Sequence, residues 1–151
     1  MHDFDKFPEL TNNQADLYYW ESPHKQIFED FTATVIRVHD GDTIRVRCGF
    51  RDFDFPIRFA NIAAPELSEV GGKESQSWLE QKLLGKEVDI KINRKNRVEK
   101  YGRLLGNIIF SGLDVGEESI INAKSVPWAM RNDGKILSSI PDFEKEMKKL
   151  W

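Results

Sequence analysis

Cysteine is nearly absent: the 151 residues contain one, Cys48. A lone thiol can form neither an internal disulfide nor a cysteine-rich metal site, so a reducing, cytoplasmic setting is expected and Cys48 reads as a small core residue. Long apolar runs are missing too. Nothing approaches the roughly twenty residues needed to cross a bilayer, which excludes a transmembrane reading. Met1 to Asp5 carry acids where a secretory leader would need positive charge followed by an apolar stretch, so export through such a leader is not expected. Positive charge is also in short supply. A formal charge of -3 argues against a protein that coats nucleic acid with its whole surface, because phosphate affinity is built from clustered Lys and Arg. Any phosphate site has to be local.

What is present fits one globular domain. The chain is 40% hydrophobic and 31% charged, and is long enough to bury a core without staples. Residues 1–31 have weak periodicity and two breakers, Pro8 and Pro23, and read as an extension packed on the domain through Tyr18, Tyr19 and Trp20. The domain itself is read as residues 32–151. From Phe31 a strand begins, with Ala33, Val35 and Arg37 on one face and Thr34, Ile36 and Val38 on the other. Those mixed faces suit a strand buried on both sides.

Asp40-Gly41 is a hairpin signal, followed by a half-buried strand in which Ile44, Val46 and Cys48 alternate with Thr43, Arg45 and Arg47. After a polar connection around Arg51 and Asp52, Phe55 to Ile62 gives a third strand, ended by Pro65 so that Glu66 opens a loop. A helix is expected from Glu74 to Leu84, stopped by Gly85. Val88, Ile90 and Ile92 then mark a fourth strand and Leu104 to Phe110 a fifth. A short helix near Glu117 to Ala123 and a terminal helix over 142–150, with Phe143, Met147 and Leu150 on one face, complete the pattern. The fold class is α+β, a five-stranded oligonucleotide-binding type of β-barrel with about three helices.

Four local signals bear on chemistry, and each has a plain structural explanation. Asp40-Gly41-Asp42-Thr43 is on its face a turn whose aspartates bond their own backbone. Arg58, between Ile57 and Phe59, either snorkels to the surface or is buried and then needs an anion. Glu66 reads equally as a loop carboxylate, and Tyr101-Gly102-Arg103 as a bend followed by an exposed arginine. The span from Lys91 to Arg103, with Arg94, Lys95, Arg97 and Lys100 and only Glu99 opposing, is the local basic stretch, although such a run is usually a solvated face.

Order and spacing join them. Asp-Gly-Asp-Thr between the first two strands, Arg58 eight residues before the Glu66 of a Pro-Glu pair, and Lys100-Tyr101-Gly102-Arg103 opening the last strand resemble the staphylococcal nuclease family, from Thr32 to Lys124. The resemblance implies a metal-dependent nuclease that hydrolyses phosphodiester bonds of DNA or RNA; independently of it, a monomer with no membrane association is expected. Asp42 would hold a divalent cation together with the main-chain carbonyl of Ala64, Asp40 being a further candidate ligand. Glu66 would position or deprotonate the attacking water, and Arg58 and Arg103 would grip the phosphate in the bidentate manner open to arginine. Lys100 and Tyr101 match nucleotide-contacting positions. Trp128 offers a stacking face, although a core position is the plainer expectation for it.

One position departs from the pattern. The family has a second carboxylate ligand two residues before the proline, where this chain has Ala63. Calcium, the ion the resemblance implies, would then be weakly bound or replaced by another metal. Asn61 lies on the same face of the expected strand but about 6.6 Å away, a poor substitute. His39 or an acid from the 51–54 loop is the alternative donor. A catalytically impaired nucleic-acid-binding module of the same fold is the second expectation, and retention of Glu66 favours catalysis over it.

Overall fold

The computed structural model describes residues 2–130, so the terminal helix expected over 142–150 lies outside the described residues. Two hairpin strands, β1 (Phe31–Asp40) and β2 (Thr43–Arg47), lead into β3 (Phe55–Phe59) and the short β4 (Ile62–Ala63). After the helix α2 (Gly72–Leu83) come β5 (Glu87–Lys91) and β6 (Leu104–Phe110). The strands run in the order β3-β2-β1-β5-β6, and a parallel pairing of β3 with β6, Ile57 beside Leu104, closes them into a five-stranded barrel. A short β7 (Leu113–Asp114) folds back on β6, and α3 (Val115–Ile121) follows it. The fold is the expected α+β barrel.

Its interior is filled by alternating residues of each strand. Val35, Ile44, Val46, Ile57, Ile90 and Ile108 are fully buried, joined by Leu79 and Leu83 from one face of α2, and Cys48 packs at the edge of the same cluster. The first strand differs from expectation. It is buried on one face only, and a bulge between Val35 and Arg37 shifts the alternation so that Val38 turns inward and Arg37 outward. A bulge of this kind re-aims side chains, which explains the mixed faces in sequence. The third strand is likewise broken. Asn61 takes a positive φ of 68°, so Ala60 and Asn61 form a corner between β3 and β4, and Asn61 shares no continuous strand face with Ala63.

Helix ends fall where side chains cap them. Asp114 accepts the Glu117 N–H and starts α3 two residues earlier than expected, and Ala123, at φ 58°, marks its end. In the N-terminal segment, α1 (Asn12–Tyr18) was not expected. It is opened by a reciprocal capping box in which Thr11 accepts from the Gln14 N–H and the Gln14 side chain accepts from the Thr11 N–H. The aromatic cluster docks only in part: Tyr18 is half-buried and the Tyr19 ring lies 6.3 Å from that of Phe28, while Trp20 is 80% exposed.

The segment is tied down by charge. Glu9 is buried between two buried arginines, its Oε1 2.6 Å from Arg51 Nη2 and its Oε2 3.4 Å from Arg97 Nη2. Arg97 also donates to the Ile27 and Leu10 carbonyls and stacks over Phe28, while Arg51 donates to the Lys25 carbonyl and lies over Phe53 and Phe55. Arg51 therefore lies inside the molecule, not in a polar surface connection. Arg97 is likewise a structural residue, and the basic stretch is not one continuous phosphate-facing surface.

A candidate phosphodiester site at the mouth of the barrel

The Asp40–Thr43 turn, the corner after β3 and the approach to β6 meet at one end of the barrel. Two glycines make the approach possible. A Cβ on Gly41 would fall 1.9 Å from Ser75 Oγ and 2.7 Å from the Ala64 Cβ, and one on Gly72 would fall 1.9 Å from the Glu66 carbonyl oxygen. Only hydrogen fits at either place, so turn, Pro-Glu loop and the start of α2 pack as one unit. Glu66 is exposed on that loop, its N–H donating to Glu69 Oε1 at 2.8 Å.

Arg58 is 5% exposed and held from three sides. Nη1 donates to the carbonyls of Phe59 and Ile62 at 2.5 and 2.9 Å, and Nη2 lies 3.3 Å from Asp42 Oδ2. The buried arginine has found its anion within the protein. Asp42 in turn accepts the Ala64 N–H at 2.8 Å and the Thr43 hydroxyl at 3.2 Å. Arg103 is half-buried: its fork is clasped by Glu99, with Nε–Oε1 at 3.0 Å and Nη2–Oε2 at 3.1 Å, and its Nη1 donates to Thr43 Oγ1 at 3.2 Å. Burial alone would lower its pKa, but the hydrogen bonds and charge of Glu99 outweigh that and push it further up. Arg103 stays a cation whatever the pH.

Arg58, Glu66, Lys100, Tyr101, Arg103 and Trp128 line one cleft of about 710 Å³, whereas the expected cation donors Asp42, Asp40 and Ala64 are not among its lining residues. Trp128 is not a core residue: it is 55% exposed. A two-stranded pairing of β4 with β8 (Val126–Pro127) and a hydrogen bond from the Trp128 N–H to the Asn61 carbonyl bring it to the rim, its ring 5.2 Å from the Arg58 guanidinium. Tyr101, 63% exposed with Lys100 over its ring, supplies a second aromatic surface. Sequence reading missed Thr43 and Glu99, which orient Arg103. Glu99 and Arg103 meet across a tight turn, in which the Glu99 N–H donates to the Arg103 carbonyl and the Gly102 N–H to the Glu99 carbonyl.

The donors for a cation are few. Among the described residues no three His, Cys, Asp or Glu side chains converge in a manner that could hold a metal. Ala63 is completely buried, and Asp54, a candidate from the 51–54 loop, is committed to Arg45 at 2.5 Å. His39 and Asp52, the other candidates, are exposed, whereas Asp42, Asp40 and Ala64 lie together, Asp42 accepting the Ala64 N–H and donating its own N–H to Asp40. These last three suit a cation that keeps most of its water and fall short of the six to eight oxygens calcium takes. Asp40 itself is pushed up to about 7 by burial, then by the hydrogen bond and charge of neighbouring Asp42.

That shift has a sign. The folded chain holds a proton on Asp40 that the unfolded chain releases near 3.8, so the associated stability is full below that value and lost as pH rises through about 7. Asp40→Asn cannot titrate. In thermal melts its Tm relative to the unaltered chain is expected to climb by a few degrees between about pH 5 and about pH 8. A difference independent of pH would show that Asp40 is ionised throughout.

Comparison with known proteins gives a consistent result. The family model described as Staphylococcal nuclease homologue matches residues 56–134. The chain is 29% identical over 135 residues to a micrococcal nuclease of Shigella flexneri, covering 81% of this chain and 74% of that protein. It is 28% identical over 124 residues to an uncharacterized endonuclease of Escherichia coli O157:H7, covering 81% and 78%.

Proposed function

The chain belongs to the staphylococcal nuclease family, and we propose that it is a nuclease hydrolysing phosphodiester bonds of DNA or RNA at the cleft between Arg58, Glu66 and Arg103. The observation that carries this reading is the convergence on one cleft of two arginines, a carboxylate and two exposed aromatic rings. Cleavage of a phosphodiester needs an activated water, compensation of charge on the equatorial oxygens and help for the departing oxygen. Arg58 and Arg103 bind the phosphate, and their charge matches what builds on it in the transition state. Glu66 orients the water and takes its proton. Tyr101 and Trp128 give neighbouring bases surfaces to stack on, with Lys100 beside the backbone.

A divalent cation held by Asp42, with Asp40 and the Ala64 main-chain carbonyl as further donors, supplies additional charge neutralisation when bound. Calcium is the ion the family resemblance implies, weakly held or exchanged for another. The scarcity of donors supports a second reading, in which the same cleft binds nucleic acid and cleaves it poorly. We take the protein to act as a monomer. Among the described residues no helix is long and apolar enough to cross a membrane.

Arginine geometry gives the test. Lysine cannot replace the three directions in which Arg58 is bonded, nor the fork of Arg103. Arg58→Lys or Arg103→Lys is expected to lower kcat/KM on a single-stranded oligonucleotide at least about tenfold. An unchanged rate in either variant removes that arginine from the phosphate clamp.

A further inference from the structure

Arg37 stands apart from the other described arginines. Among the described residues Arg45 and Arg47 pair with Asp54, Arg51 and Arg97 with Glu9, Arg58 with Asp42, Arg94 with Glu29 and Arg103 with Glu99, while Arg37 has no carboxylate partner. It is also placed against another cation. The register of β1 and β2 sets Arg37 directly opposite Arg45, whose charge is already offset by Asp54, so the uncompensated charge of the pair sits on Arg37. The bulge at Val35 and Arg37 produces this pairing. Uninterrupted alternation from Ala33 and Val35 would have carried Arg37 into the core; the extra residue turns it outward instead.

The same two arginines line a second cleft of about 200 Å³, with the exposed His39 and with Thr43 and Pro56. Arg103 lines this cleft and the main one alike. On a chain of net charge -3 this is a local run of cations leading away from the proposed reaction centre.

We infer that the Arg37–Arg45–His39 cleft is a second phosphate subsite, holding the backbone of a nucleic-acid strand beyond the phosphate gripped by Arg58 and Arg103. The inference rests on the nuclease reading and extends it: productive substrates are polymers long enough to reach from one cleft to the other. Arg37 is the principal contact, because its guanidinium is not shared with a carboxylate. Arg45, held by Asp54, frames the far wall. The contact is to phosphate and carries no base preference.

The test compares chain lengths. Binding of a single-stranded DNA of about twelve nucleotides and of a dinucleotide is measured by anisotropy over a range of salt, in a Glu66→Gln background so that neither is consumed. Arg37→Ala is expected to weaken the longer strand about fivefold to tenfold more than the dinucleotide, and to reduce the magnitude of its salt slope by about 0.7. Arg37→Glu should exceed both effects. Equal losses for the two lengths, or a salt slope that does not move, would overturn the subsite while leaving the nuclease reading intact. Failure of the parent protein to bind either strand would instead remove the nuclease reading, and the subsite with it.

Discussion

Glu66→Gln is expected to lower cleavage by about 10²–10⁴-fold, the usual worth of a positioned general base, while leaving oligonucleotide binding within a factor of about two. Glutamine keeps the shape of the side chain and removes only its ability to take a proton. The loop itself should persist, because its hydrogen bond to Glu69 comes from the Glu66 main chain and its packing against Gly72 involves the carbonyl. A loss confined to kcat, with Tm unchanged, assigns proton transfer or water positioning to the carboxylate. A variant as active as the parent would place the base elsewhere in the cleft.

The largest effect on stability is expected far from the cleft, at Glu9. Two buried guanidinium groups share this one buried carboxylate, so Glu9→Gln leaves both cations without a countercharge. Removing one partner of a buried ion pair costs about 3–5 kcal/mol. For a chain of this size that corresponds to a Tm lower by roughly 10 °C or more. Arg51→Met should cost less, because it leaves Glu9 and Arg97 as a balanced pair and keeps an apolar side chain against Phe53 and Phe55. Denaturant midpoints of the two variants check the order. Equal losses would mean that charge balance is not what holds residues 2–30 to the barrel.

Parts of the molecule were legible because local signals and tertiary demands agree. β2 shows clean alternation after an Asp-Gly turn and falls where the pattern puts it, and α2, with its leucines one turn apart ahead of Gly85, begins two residues before the expected Glu74. β1 was misjudged because two apolar alternations offset by one residue look the same whether both faces are buried or a bulge intervenes. α1 escaped notice because no residue in it is buried, although Thr11 and Gln14 carried the capping-box spacing. Arg51 and Arg97 looked like surface charges because their partner Glu9 is remote in sequence, 88 residues from Arg97. In the cleft, spacing brought Arg58, Glu66, Lys100, Tyr101 and Arg103 together on paper, and they do line one space. Trp128 reaches it only through the β4–β8 pairing, and two-residue strands leave no periodicity to read.

The most direct measurement is cleavage of end-labelled single-stranded DNA and RNA by the unaltered protein, with calcium, magnesium, manganese or a chelator in parallel reactions. Cleavage that appears with at least one divalent ion and disappears in chelator is expected. Intact strands under every condition, from protein that still binds them, would contradict a nuclease at this cleft.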